Sequence, residues 1–126
     1  MIDSHCHLAD KTFAADLEEV LLRAEEHGVH SVVTIADTLD EAQRCIDVAE
    51  EHEQVFCTAG VHPHHAKDWQ PDDAKRLRAL VASSSKVKAI GEIGLDYHYD
   101  HSPRNVQRDV FRAQLEIARS LDLPAV

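Results

Sequence analysis

Two histidines two positions apart open the chemistry of this chain. His5 and His7 lie on the first predicted strand, where side chains at i and i+2 point to one face and sit about 7 Å apart at the backbone. Two imidazoles so placed can converge on a single divalent metal. The competing reading is a pair of strand-end histidines, one of them hydrogen-bonded in a turn. Asp3 faces the same way, either orienting an imidazole from behind or capping. Glu92 ends the apolar run Val87–Ile93. A carboxylate there is costly unless it is paired or bound to metal, so it is a candidate metal ligand; a cross-sheet partner to a lysine or arginine is the alternative. Gly91 and Gly94 would let the backbone bend or approach a ligand closely.

Several further residues fall near the same strand ends. His62 closes the third strand and is expected to face the site, whereas His64 and His65 are expected in solvent. Asp96 stands where the fourth strand gives way to loop, as a substrate-side group or a turn cap. His98 and His101 read as loop surface. Arg104, Arg108 and Arg112 form an i, i+4 stripe leading to Glu116, the pattern of a solvated helix face. Arg104, nearest the strand ends, has the reach and charge to bind a phosphate.

Alternating strands and helices, with a repeat of roughly 30 residues, must position these groups. Strands are predicted over 1–7, 30–36, 55–61 and 87–93. The first helix buries Leu17, Val20, Leu21 and Ala24 and stops at Gly28. Thr38 and Glu41 form a capping box ahead of Ala42, Cys45, Ile46 and Ala49. Pro71 opens the third helix, with Leu77, Leu80 and Val81 inward. Asn105–Leu121 is the longest helix, turning Val106, Val110, Ile117 and Leu121 to the core. Pro124-Ala125-Val126 begins a fifth strand. This α/β alternation implies a parallel sheet. A doubly wound nucleotide binder usually carries a glycine-rich first turn; here that turn, His5-Cys6-His7-Leu8-Ala9-Asp10, has no glycine.

The 126 residues, 44% hydrophobic and 29% charged, suit one packed domain rather than a disordered chain. No apolar run reaches the roughly 20 residues of a membrane span. The N-terminus lacks a secretory pattern, and the three cysteines read as reduced thiols, so a cytoplasmic protein is expected. A net charge of −10 argues against a broad basic nucleic-acid surface, although divalent metals can supply the positive charge that phosphate needs.

Asp3-Ser4-His5-Cys6-His7-Leu8, Gly60-Val61-His62-Pro63 and Gly91-Glu92-Ile93-Gly94-Leu95-Asp96-Tyr97 together resemble, in order and spacing, the N-terminal signatures of the TatD family of metal-dependent hydrolases. The similarity is to the branch with the full H-x-H, the YcfH-like hydrolases. It implies a TIM (β/α)₈ barrel of the metallo-dependent hydrolase type. Residues 1–126 would be a single domain, comprising the first four βα units and the start of strand 5. It implies DNase or broader phosphoesterase activity with two divalent metals (Zn, Mn, Mg or Fe), acting on DNA or a small phosphoester. His5, His7 and Glu92 would be metal ligands, Glu92 bridging both ions and serving catalysis; His62, Asp96 and Arg104 would face substrate. The family's remaining ligands, two histidines and an aspartate, would lie beyond Val126. Two alternatives stand: an amidohydrolase acting on C–N bonds, and an inactive chain working only through partner binding. A half-barrel is also expected to self-associate.

Overall fold

The computed structural model describes residues 1–126. Four strands, β1 (Ile2–Cys6), β2 (Ser31–Thr34), β3 (Val55–Ala59) and β4 (Val87–Ile90), alternate with helices α1 (Leu17–Glu26), α2 (Leu39–Glu51), α3 (Asp73–Ser83) and α4 (Arg104–Ser120). The strands pair in parallel in the order β1-β2-β3-β4. Sequential order separates this fold from the doubly wound one, whose strand order reverses at a switch point. With right-handed crossovers, sequential strands send every helix to one face of the sheet, as in the wall of a barrel. The fifth strand begins as the sequence suggests. Ala125 bridges Ile90 in parallel, with Ile90 N–H donating to the Pro124 carbonyl at 2.9 Å and Val126 N–H to the Ile90 carbonyl at 3.0 Å.

The core lies between sheet and helices, where Leu21, Ile46, Val55, Leu77, Ile90 and Ile117 form part of one cluster. Local signals explain the helix ends. Gly28 follows α1 at φ +83, the left-handed region that glycine enters freely. Thr38 Oγ1 accepts from Glu41 N–H at 3.2 Å, while the Glu41 carboxylate accepts from Asp37 N–H, one residue earlier than a regular capping box requires.

Three expectations are corrected. Pro71 does not open α3; it lies before the Asp72 N-cap, so its fixed φ shapes the approach rather than the first turn. Strands β1 and β4 are shorter than the apolar runs suggested, leaving His7 and Glu92 just past their ends. On α4, Val106 is only half-buried and Leu121 is exposed, while Gln107 and Gln114 are fully buried. The helix turns the face of Gln107, Val110, Gln114 and Ile117 inward because its glutamines bond to backbone that the apolar residues could not satisfy.

Candidate metal centre

The path of the chain after β4 fixes the position of Glu92. Instead of continuing beside β3, it crosses the end of that strand: Gly91 N–H donates to the Ala59 carbonyl at 3.0 Å and Glu92 N–H to the Ala36 carbonyl at 2.9 Å, beyond β2. The crossing depends on Gly60, where a Cβ would stand 2.7 Å from the Gly91 carbonyl carbon. Gly91 is confined on its other side, where a Cβ would meet Val126 at 2.9 Å. The Gly91–Glu92 peptide bond is cis. With its amide on Ala36, Glu92 reaches across toward β1.

There it meets the histidine pair. Glu92 Oε2 lies 3.3 Å from His5 Nε2, and one ligand atom from each of His5, His7 and Glu92 falls within 4.8 Å of the others. The two imidazoles stand edge to face with centroids 5.4 Å apart. Within β1 the Asp3 carboxylate accepts from the His5 amide at 3.1 Å.

This donor set suits a divalent ion. Two ligand atoms about 2.1 Å from a zinc-class metal can be at most about 4.2 Å apart, so small side-chain rotations bring all three atoms to bonding distance. Glu92 is 29% exposed and His5 45%, which leaves the cluster open for an ion and substrate to approach. Two imidazoles with one carboxylate favour a borderline metal over a purely oxygen-seeking one.

His62 borders the same point, with Nε2 3.6 Å from Glu92 Oε1. Its Nδ1 accepts from the His64 amide at 3.1 Å. That bond assigns the neutral ring's proton to Nε2, the nitrogen facing Glu92. Burial pushes the His62 pKa below its ordinary value, against the pull of Asp37 and Glu92. The backbone on either side is held firmly: His62 N–H donates to the Asp37 carbonyl at 2.9 Å, and Gln114 accepts from Val61 N–H at 2.7 Å and donates to its carbonyl at 2.9 Å.

The remaining candidates form a neighbouring layer. His64 is not the free surface residue expected; it is half-buried, bonded through Nε2 to Asp96 and packed against the ring of His62. Asp96 Oδ1 accepts from the amides of His98 and Tyr99 at 2.8 and 3.1 Å, the capping alternative of its two readings. The His64 ring first, then the Tyr99 and His98 amides, hold the Asp96 carboxyl down to about 2. Arg104 lies outside the metal cluster with its guanidinium on both oxygens of Asp100, and this pairing raises its pKa. His65, also half-buried, sits 3.9 Å from Asp68.

Gln107 and Gln114 went unread as site residues. Their signal was present, as two amides on the stripe 107, 110, 114 and 117 where a helix packed on a sheet normally carries apolar side chains.

Comparison with known proteins agrees with this geometry. Residues 2–126 match the family model for TatD related DNase. The chain is 36% identical over 126 residues to the uncharacterized metal-dependent hydrolase YabD of Bacillus subtilis, covering 100% of this chain and 49% of the relative. It is 42% identical to the 3'-5' ssDNA/RNA exonuclease TatD of Pantoea ananatis over 98% of this chain and 48% of that protein. The crystal structure of YJJV, a TatD homolog from Escherichia coli, superposes with a TM-score of 0.91 at 30% identity, over 99% of this chain and 49% of that one. The chain thus spans about half the length of the curated relatives it matches. With the H-x-H pair, the crossing glutamate and the sequential parallel strands all present, the chain belongs to the TatD-related DNase family of metal-dependent hydrolases.

Proposed function

We propose that this chain supplies the first part of the active site of a metal-dependent phosphodiesterase that hydrolyses single-stranded nucleic acid. The observation that carries the reading is the meeting of His5, His7 and Glu92 within 4.8 Å at the strand ends of a TatD-type barrel wall. Two divalent ions are proposed for the complete site, and His5, His7 and Glu92 are the residues of this chain that would hold metal there. When bound, such ions supply Lewis acidity, making water nucleophilic at neutral pH and stabilising charge on the phosphoryl oxygens.

The chain's own groups then have distinct tasks. His5 and His7 fix the position of positive charge at the end of β1. A Glu92 oxygen left free of metal would orient a water and take its proton as attack proceeds. His62 presents Nε2–H toward the same point and is suited to donate to a non-bridging phosphate oxygen. Asp96 acts through His64, to which it is bonded, and so through the packing of His62. The exonuclease relatives favour a single strand of DNA or RNA as substrate.

A nuclease assay with Mg, Mn or Zn on fluorescent single-stranded oligonucleotides tests the proposal. It should be run on this chain beside one continued through the later barrel strands. Metal-dependent release of nucleotides is expected in the longer chain, lost on Glu92→Ala, with no turnover above background from residues 1–126 alone. Retention of full activity in the longer Glu92→Ala protein would refute the assignment.

A further inference from the structure

Resting on that nuclease reading, we infer that the loop 97–101 is a base-stacking subsite, with Tyr99 as the platform for an unpaired nucleobase beside the metal cluster.

Tyr99 is 64% exposed, yet the loop that carries it is fastened from several directions. Asp96 takes the amides of His98 and Tyr99. Buried Gln107 accepts from Asp96 N–H at 2.8 Å and donates to its carbonyl at 3.0 Å and to that of Ser102 at 2.8 Å. Ser102, also buried, donates to the His64 carbonyl at 2.9 Å and accepts from Lys67 N–H at 3.0 Å. An aromatic ring held in water on an ordered loop is pre-organised for a flat ligand, because little freedom remains to be lost on binding.

The rings form a row leading from the metal cluster. His62 stands beside Glu92, His64 is edge-on to His62 with centroids 4.3 Å apart, and His101 is edge-on to His64 at 4.5 Å. Tyr99 lies nearly parallel to His101, at 4° and 5.6 Å. A strand with its phosphate beside Glu92 would run along this row toward the exposed Tyr99 ring.

The charges fit the same ligand. In a chain of net charge −10, three cations touch this one loop. Lys67 Nζ donates to the His101 carbonyl at 3.1 Å, Arg104 lies 4.6 Å over the Tyr97 ring, and Arg108 donates to the Tyr97 hydroxyl at 3.4 Å. The loop's own carboxylates are engaged, Asp96 with His64 and Asp100 with Arg104. The exposed Tyr99 ring, with Lys67 and Arg108 on the same loop, suits a ligand with a flat face on an anionic backbone. That describes single-stranded nucleic acid, in which base faces are free, and not a duplex, in which they are stacked.

Fluorescence anisotropy with labelled oligothymidylate, in EDTA so that binding is read without hydrolysis, tests the inference. An oligomer of equal length and charge with abasic sites is the comparison. Tyr99→Ala should weaken oligothymidylate binding about tenfold, leave the abasic oligomer unchanged, and be rescued by Tyr99→Phe. In NMR spectra of the unsubstituted chain, the Tyr99 and His101 ring signals should move on adding oligothymidylate. Equal loss on both oligomers, no loss with Tyr99→Ala, unmoved ring signals, or no binding of either oligomer would overturn it. Failure of the metal reading is separately visible, because base-dependent binding in EDTA would then persist while Glu92→Ala leaves nuclease activity of the longer chain intact.

Discussion

At the scale of single residues, the site is governed by which groups are engaged and which are open. Asp96 is engaged. Its pKa, held at about 2 by His64 and two amides, lies below the ordinary aspartate value of about 3.9. A depressed folded pKa contributes stability that is present above the unfolded value and lost as pH falls through the folded one. The loop carrying Tyr97 and Tyr99 should therefore loosen as pH falls from about 4 to about 2, seen as loss of near-ultraviolet tyrosine dichroism. Asp96→Asn should remove that dependence; an unchanged acid profile would show that the capping contributes nothing. The cysteines are inert by contrast: burial pushes Cys45 and Cys57 up to about 12 and Cys6 to about 11. Iodoacetamide at pH 7.5 should label the folded chain slowly and the unfolded chain at all three positions, because the thiolate is the reactive form. Rapid alkylation of the folded chain would contradict this burial.

At the scale of elements, the ends of β2, β3 and β4 are bound together by a crossing segment and a helix. A Cβ at Gly60 would collide with Gly91 backbone, which cannot swing aside as a side chain can. Gly60→Ala should displace Glu92 and destabilise the chain by about 1–3 kcal/mol; urea unfolding and a divalent-metal titration would both report it, and wild-type behaviour in both would refute the crossing. Gln114→Leu should leave the Val61 amide and carbonyl without partners, at about 1–3 kcal/mol for each unsatisfied group. Urea unfolding measures that loss, and an unchanged midpoint would contradict the clamp.

These elements also show how far the sequence could be read. Apolar, β-branched runs revealed the strands and helical spacing revealed the helices, because burial selects for both. The H-x-H spacing and the acid in an apolar run marked His5, His7 and Glu92 for the same physical reason. The backbone crossing at Gly60 was not legible, since a glycine does not state which chain segment approaches it. Nor was the role of Gln107 and Gln114: a helix face shows that they point inward, but not which carbonyls await them. His64 was misread because its partner Asp96 is distant in sequence and joins it only through the fold.

At the scale of the whole molecule, the sheet is open. β1 pairs with β2 on one side alone, and Met1 and Ile2 are 77% and 66% exposed. Unpaired parallel edges favour association with other chains, so residues 1–126 should sediment as concentration-dependent oligomers; a monomer across the micromolar range would contradict that expectation. No helix is long and apolar enough to cross a membrane.

If His5 and His7 from one edge of the sheet and Glu92 from beyond β4 hold a divalent ion, calorimetric titration with zinc or manganese will report it. The chain should bind the ion saturably, and His5→Ala, His7→Ala and Glu92→Ala should each abolish binding. His30→Ala, altering a histidine at the other end of β2, should leave it intact. Absence of binding to the unsubstituted chain, or undiminished binding to the Glu92→Ala variant, would contradict the account.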